Sequence, residues 1–338
     1  MDAVVARNIE RLCTVEMRTK GMPRGFIHKL NMAVEERFGA PTTLLAAEKI
    51  IERVAENENV LISAGAGILP HVPKGETDGP LGAAALAKAL NKGLGLKPIL
   101  LTEERNIEPI KASCESLGLK ISDYESFRKK NRIGFIRSYP YNDDESRKIA
   151  PEILDDYEPS LVITIEKLSP NEKGVIHTVR GFDHTHSHAK LHHLVNEARK
   201  RNILTVGIGD GGNEIGFGVI RKEVKDIVPY GRKCQCPCQS GIASDTETDL
   251  LIVASISNWG AYGLEACLAG LLNNLNLIHS STDERHMLQE CVKAGGRDGL
   301  HLKRIPYVDG VPLEVNQSVI TMLREIVRNG SRETSRIF

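Results

Sequence analysis

The feature that most restricts how this chain can fold is a series of strand-sized apolar runs, each closed by a glycine or an acid and followed by a helical pattern. Residues 60–64 run into Gly65, residues 161–165 into Glu166, and residues 203–208 into Gly209 and Asp210. Residues 97–102 and 249–255 read as further strands. Between them lie helical patterns at 81–91, opened by Pro80, and at 108–117, 188–201, 261–272, 283–294 and 313–328. Near-continuous apolar strands that alternate with helices specify an α/β fold, a mostly parallel sheet with helices on both faces in a Rossmann-like three-layer sandwich, because each crossover helix must bury a face of the sheet. Two more helices are expected within residues 24–59. Residues 1–59 then supply N-terminal helices packed on the main domain, and residues 60–330 form a single α/β catalytic domain. The polar, irregular stretch 124–158 reads as a surface excursion or lid.

Composition narrows the function. Lys+Arg and Asp+Glu both number 44, so no net field draws the chain to nucleic acid or to an anionic membrane surface. No apolar run approaches the ~20 residues of a membrane span, and residues 1–21 mix acidic with basic side chains instead of forming a secretory core. Seven cysteines, an odd number, read as reduced thiols in a reducing compartment, the cytoplasm or the mitochondrial matrix. The expected partner is a small anionic molecule, and a homo-oligomer is compatible with this composition.

Ligand-binding loops of open α/β sheets gather at the carboxyl ends of the strands, and the acids of this chain concentrate there. The first strand is followed by Gly75-Glu76-Thr77-Asp78-Gly79-Pro80, the run 161–165 by Glu166 and then Arg180-Gly181-Phe182-Asp183-His184, and the run 203–208 by Gly209-Asp210-Gly211-Gly212-Asn213-Glu214. A lone Asp-Gly-Gly is more often a solvated turn than a site. Three acid-bearing loops at strand ends read differently, because carboxylates that converge repel one another unless a cation lies between them. Oxygen-only ligation favours Mn²⁺ or Mg²⁺ over Zn²⁺. Gly207-Ile208-Gly209-Asp210-Gly211-Gly212 also matches the dinucleotide fingerprint, but Asp210 and Glu214 would face a pyrophosphate unneutralised.

His184, His186, His188, His192 and His193 form a run of which His184 or His188 is expected at the edge of the site, as a proton carrier or a partner to a carboxylate. Cys234-Gln235-Cys236-Pro237-Cys238 lacks a second Cys/His pair at zinc spacing and reads as thiols on a loop. Ser257-Asn258-Trp259-Gly260, between a strand and a helix, could donate to a substrate anion, or Trp259 could simply pack.

Three stretches, GETDGPLGAAALAKAL (75–90), TVGIGDGGNEIGFG (205–218) and LIVASISNWGAYGLEA (251–266), resemble the D-glutamate cyclase family, in particular the domain that forms the C-terminal half of the two-domain vertebrate enzyme and stands alone in many microbes. The resemblance extends over roughly residues 60–272. It implies a lyase that cyclises D-glutamate to 5-oxo-D-proline with loss of water, or, as in archaeal stand-alone members, a Mn²⁺-dependent phosphatase. It also implies Glu76, Asp78, Glu166, Asp183, Asp210 and Glu214 as metal-site acids. Asp183, His184 and Glu166 are the expected catalytic groups. Thr77, Gly79, Gly211, Gly212, Asn213 and Asn258 are expected to hold substrate. Lys74, Lys167 or Arg180 would balance charge in the phosphatase case. A third class, a binder without turnover, would use the same loops.

Overall fold

The computed structural model describes residues 1–20 and 22–332. Among them, strands β1 (Asn59–Ala64), β2 (Lys97–Thr102), β3 (Ile121–Ser122), β4 (Gly134–Ser138), β5 (Pro159–Ile165), β6 (Leu204–Gly209) and β7 (Leu250–Val253) form one sheet. Its order is β3-β4-β2-β1-β5-β6-β7, and every pairing is parallel. The expected parallel α/β sandwich is therefore the observed fold. Side chains alternate between the faces as the strand period requires: Val60, Ile62 and Ala64 enter one apolar core, and Leu61 enters the other.

Three helices, α1 (Ala3–Cys13), α2 (Ile27–Phe38) and α3 (Thr42–Arg53), precede β1, one more than the sequence spacing suggested. The additional helix is α1, where Asp2 caps the start by accepting from the Val4 and Val5 amides, and Val5, Ile9 and Cys13 make the buried stripe. One face of the sheet is covered by α3, α4 (Pro80–Leu94), α5 (Ile107–Ser116) and α10 (Ser257–Leu271). On these helices pack α1, α11 (Ser281–Ala294) and α12 (Leu313–Gly330). The opposite face carries α6 (Tyr124–Lys129), α7 (Asp143–Tyr157) and α8 (His192–Lys200), while α2 and α9 (Arg221–Ile227) close over the β7 end.

The stretch 124–158 is neither excursion nor lid. It supplies α6, β4 and α7, and β4 inserts between β3 and β2. Its polar look comes from its place near the sheet edge, where each element buries one side only. Tyr124, Phe127, Phe135 and Tyr157 form that buried side, with ring centroids 5.3–6.4 Å apart.

From β1 the chain moves outward to β2 on one side, and β5 later takes the place on the other side. The loops leaving β1 and β5 therefore diverge and open a crevice at the carboxyl end of the sheet, where such folds bind their ligands. A small antiparallel hairpin, β8 (Tyr307–Val308) and β9 (Val311–Pro312), contributes Asp309 to this crevice.

Candidate active site

The crevice encloses a cavity of about 460 Å³, within the range of small-molecule sites. Glu76, Glu166, Asp210 and Asp309 line it, together with Arg18 and His184. Ligand atoms of Glu166, Asp210 and Glu214 lie within 4.8 Å of one another, and so do those of Asp78, Asp210 and Asp309. Asp210 belongs to both groups. Glu76 borders the cluster without joining either group.

Local geometry aims these carboxylates. Glu166 follows β5 with a positive φ of 52°, a turn that non-glycine residues seldom adopt, and its Oε2 accepts from the Ser257 hydroxyl at 2.5 Å. Asp78 accepts from the backbone N–H groups of Gly79, Ser257 and Asn258 at 3.0, 2.9 and 2.7 Å. It thereby caps α10, where the helix dipole favours a negative charge. Asn258 returns the favour to α4: its Oδ1 accepts from Gly79 and Gly82, both at 2.8 Å, and its Nδ2 donates to the Thr77 carbonyl at 3.0 Å. The two helix starts are locked by each other's side chains. Gly79 is required here, since its φ is +93° and a Cβ would stand 2.5 Å from the Gly65 nitrogen.

In the Gly-rich loop, Glu214 Oε1 accepts from the amides of Asp210 and Gly211 at 2.8 and 2.7 Å. A Cβ on Gly211 would meet Asn213 Oδ1 at 2.5 Å, so any larger residue there must displace the Asn213 side chain. Asp210 Oδ1 pairs with Arg18 at 2.6 Å, both side chains being under a tenth exposed. Asp210 Oδ2 and Glu214 Oε2 are buried and have no hydrogen-bond partner among the described residues. Buried carboxylate oxygens are normally satisfied, so two orphans within one acidic cluster call for a ligand. All the donors are hard oxygens, which fits Mg²⁺ or Mn²⁺ and not the N/S preference of Zn²⁺.

Electrostatics agree. Burial pushes the carboxyls of Asp78 and Glu214 up to about 7, with the charge of Asp210 adding to each shift. Burial and Asp78 push Glu76 up to about 8. Glu166 and Asp309 rise well above the usual range from burial and the neighbouring Asp210. Asp210 is also raised by burial, against the pull of Arg18.

Several expected site residues are placed elsewhere or are already committed. Asp183 stands outside the cluster, exposed, its carboxylate accepting from the Thr185 amide and hydroxyl at 2.9 and 2.7 Å as a turn cap. The Thr77 hydroxyl donates to the Tyr307 carbonyl at 2.7 Å. The side chain of Asn258 and the amides of Gly79 and Gly211 are consumed in the contacts given above. The Gly212 carbonyl accepts from the Ser244 amide at 3.1 Å. Asn213 lines the cavity, its Nδ2 donating to the His177 carbonyl at 2.7 Å. Trp259 packs fully buried and donates to Asn316 at 2.8 Å.

Lys167 is buried and bound to Glu103 at 2.6 Å and to the Gly65 carbonyl at 2.8 Å, and Lys74 does not line the cavity. Of the histidines, His184 and His188 line the cavity. Burial lowers the His184 pKa, assisted by His186, and lowers His188 to about 4, so both are neutral near pH 7. His193 instead faces Asp143 at 2.8 Å near the surface. Arg18 and Asp309 were not anticipated. Arg18 has no local signal, lying in an irregular segment after α1. Asp309-Gly310 does have one: both residues have positive φ, 48° and 80°, as the Asp-Gly turn of a tight hairpin requires.

Fold and site together define an α/β protein with a cation-ready carboxylate basin at the switch point of a parallel sheet. The family model described as "D-glutamate cyclase-like, C-terminal" matches residues 29–324, and the chain belongs to that family. A curated relative, "D-glutamate cyclase, mitochondrial" from Homo sapiens, is 27% identical over 203 residues, 59% of this chain. The match spans only 30% of that protein's length. Among the described residues no helix is long and apolar enough to cross a membrane.

Proposed function

We propose that this chain is a divalent-cation-dependent lyase of the D-glutamate cyclase type, closing D-glutamate to 5-oxo-D-proline with loss of water. The observation that carries the reading is the pair of orphaned buried oxygens, Asp210 Oδ2 and Glu214 Oε2, inside a basin ringed by Asp78, Glu166 and Asp309. Family membership and the relative's name supply the reaction class. Asp210, Glu214, Glu166, Asp78 and Asp309 would hold Mn²⁺ or Mg²⁺, which when bound polarises the γ-carboxyl group of the substrate.

The rest of the chemistry falls to side chains. Arg18 and Arg180, the cations of the cavity wall, face the α-carboxylate of a small anionic substrate. Neutral His184 accepts a proton from the α-ammonium, freeing the amine to attack the carbon of the γ-carboxyl group. The N–C bond forms, a C–O bond breaks, and the two protons lost by nitrogen leave with the departing oxygen as water. Glu76, protonated at neutral pH and beside the basin, would give its proton to the departing oxygen and regain one from the nitrogen, while His184 passes on the other. Holding the substrate folded lowers the entropic barrier to ring closure.

Incubation of the full chain with D-glutamate and Mn²⁺ or Mg²⁺ is expected to yield 5-oxoproline by mass spectrometry, with chelator abolishing the product. No product with either ion, from protein that binds the ion, overturns the assignment. Nothing in the cavity or the comparisons favours phosphate-ester hydrolysis.

A further inference from the structure

The three cysteines of the CxCxC stretch do not lie on a bare loop. The segment that leaves β5 turns back so that His177, fully buried, faces them. His177 Nε2 lies 3.2 Å from Cys236 Sγ and 3.5 Å from Cys238 Sγ. Cys234 Sγ lies 3.5 Å from Cys236 Sγ and 3.3 Å from Cys238 Sγ. All four ligand atoms fall within 4.8 Å of one another, and the cysteines are free, not paired in disulfides.

We propose that Cys234, Cys236, Cys238 and His177 form a closed tetrahedral site for one structural zinc ion. Zn–S bonds of about 2.3 Å and Zn–N bonds of about 2.0–2.1 Å imply tetrahedral edges of about 3.8 Å between sulfurs and about 3.6 Å from sulfur to nitrogen. The four edges given above are shorter than these by half an ångström or less, and the two remaining edges stay within 4.8 Å, so an ion at the centre needs only modest movement of the side chains. A disulfide requires about 2.05 Å between sulfurs, far shorter than any of these separations. Three thiolates and an imidazole select zinc over the hard ions suited to the acidic basin. Four protein ligands leave no open position, the mark of a structural rather than a catalytic zinc.

The surroundings show what the ion holds. Gln235 donates from its amide to the Gly181 carbonyl at 2.8 Å and from its side chain to the Arg180 carbonyl at 2.7 Å. The His177 carbonyl accepts from Asn213 of the Gly-rich loop at 2.7 Å. Asn171 spans from the Gly241 carbonyl, at 2.7 Å, toward Cys238 Sγ, at 3.5 Å. The zinc therefore staples residues 234–241 to the turn 177–184, whose Thr178, Arg180, Phe182 and His184 wall the basin. This inference does not depend on the reaction assigned above.

The test uses the full chain purified without chelator. Elemental analysis is expected to give about one zinc per chain. Exchange for Co²⁺ is expected to produce thiolate-to-metal charge-transfer bands and intense tetrahedral d–d bands that a carboxylate site cannot give. Asp210→Asn keeps the zinc and the cobalt spectrum, whereas Cys236→Ser and Cys238→Ser lose both and lower the Tm. Wild-type protein without zinc that also fails to give the cobalt bands under reducing conditions overturns the proposal even if the serine variants do not fold. A mass-detected disulfide among the three cysteines in freshly purified protein overturns it as well.

Discussion

The acidic basin and the thiol cluster sit at opposite ends of ligand chemistry and were assembled in opposite ways. The basin draws Glu76, Asp78, Glu166, Asp210, Glu214 and Asp309 from loops spread along most of the chain, and only the parallel sheet brings them together. The thiol cluster takes three ligands from five consecutive residues and borrows only one, His177, from elsewhere. The basin borders open cavity, whereas the four residues of the sulfur cluster face one another and none of them lines that cavity. The difference separates a place for exchangeable chemistry from a fastening.

That contrast breaks most visibly at Asp210, the one acid common to both carboxylate groups. Asp210→Asn is expected to reduce cation affinity and turnover at least about 100-fold, since even outer-shell changes around a metal commonly cost 10–100-fold. Isothermal titration with Mn²⁺ and the 5-oxoproline assay check it, and near-normal values in both would show that the basin is not the ion site.

Arg18 offers the next largest effect. Removing one partner of a buried ion pair costs on the order of 3–5 kcal/mol, so Arg18→Gln destabilises the ion-free protein by about that much. The same change removes a competitor for Asp210, and Mn²⁺ is expected to bind the variant more tightly than the wild type. Denaturant melts with and without Mn²⁺ read both numbers; a variant equally destabilised in both conditions would remove Arg18 from the basin's charge balance.

A smaller, graded effect follows from pH. The carboxyls of Asp78, Glu214 and Glu76 sit at about 7, 7 and 8 in the folded chain because of burial and mutual repulsion. Unfolded, they return to about 4. Raised folded values mean no cost below the unfolded pKa and a cost that grows as pH climbs toward 8, because the folded acids hold protons that the unfolded chain has already released, and that levels off once they ionise. The ion-free Tm should therefore fall between about pH 5 and pH 8, and saturating Mn²⁺ should raise it more at pH 8 than at pH 6. An increment that shrinks with rising pH contradicts the reading.

The smallest change is Asp183→Asn, which should leave Mn²⁺ affinity within about twofold and cost about 1 kcal/mol of local hydrogen bonding. A large loss of binding would restore Asp183 to the basin.

Where the sequence was informative, it was so because strand ends carry their own mark. β1, β2, β5 and β6 are apolar runs that end in glycine or acids, β7 is an apolar run that passes into Ala254 and Ser255, and the acids after β1, β5 and β6 meet as that rule implies. β4 escaped because Gly134, Arg137 and Ser138 dilute a short strand near the sheet edge. Asp183 follows the same strand as Glu166, yet the turn between them carries it outward. Polar residues beside a site were also overread: Thr77 and Asn258 look like ligands for a substrate, but the Thr77 hydroxyl satisfies the Tyr307 carbonyl in β8 and Asn258 satisfies the backbone at the start of α4. His177 could not be assigned to the cysteines from spacing, because 57 residues separate it from Cys234 and only the fold closes that gap.

The mutual capping of α4 and α10 joins positions 180 residues apart. A chain severed near residues 130–133, between α6 and β4, would yield two fragments that each present a helix with an unfinished polar end. Asp78 on the first piece and Asn258 on the second supply what the other lacks. Recombination of the halves is then selective in a way that hydrophobic burial alone is not, and the same lock that positions the acids makes this architecture suited to a split reporter.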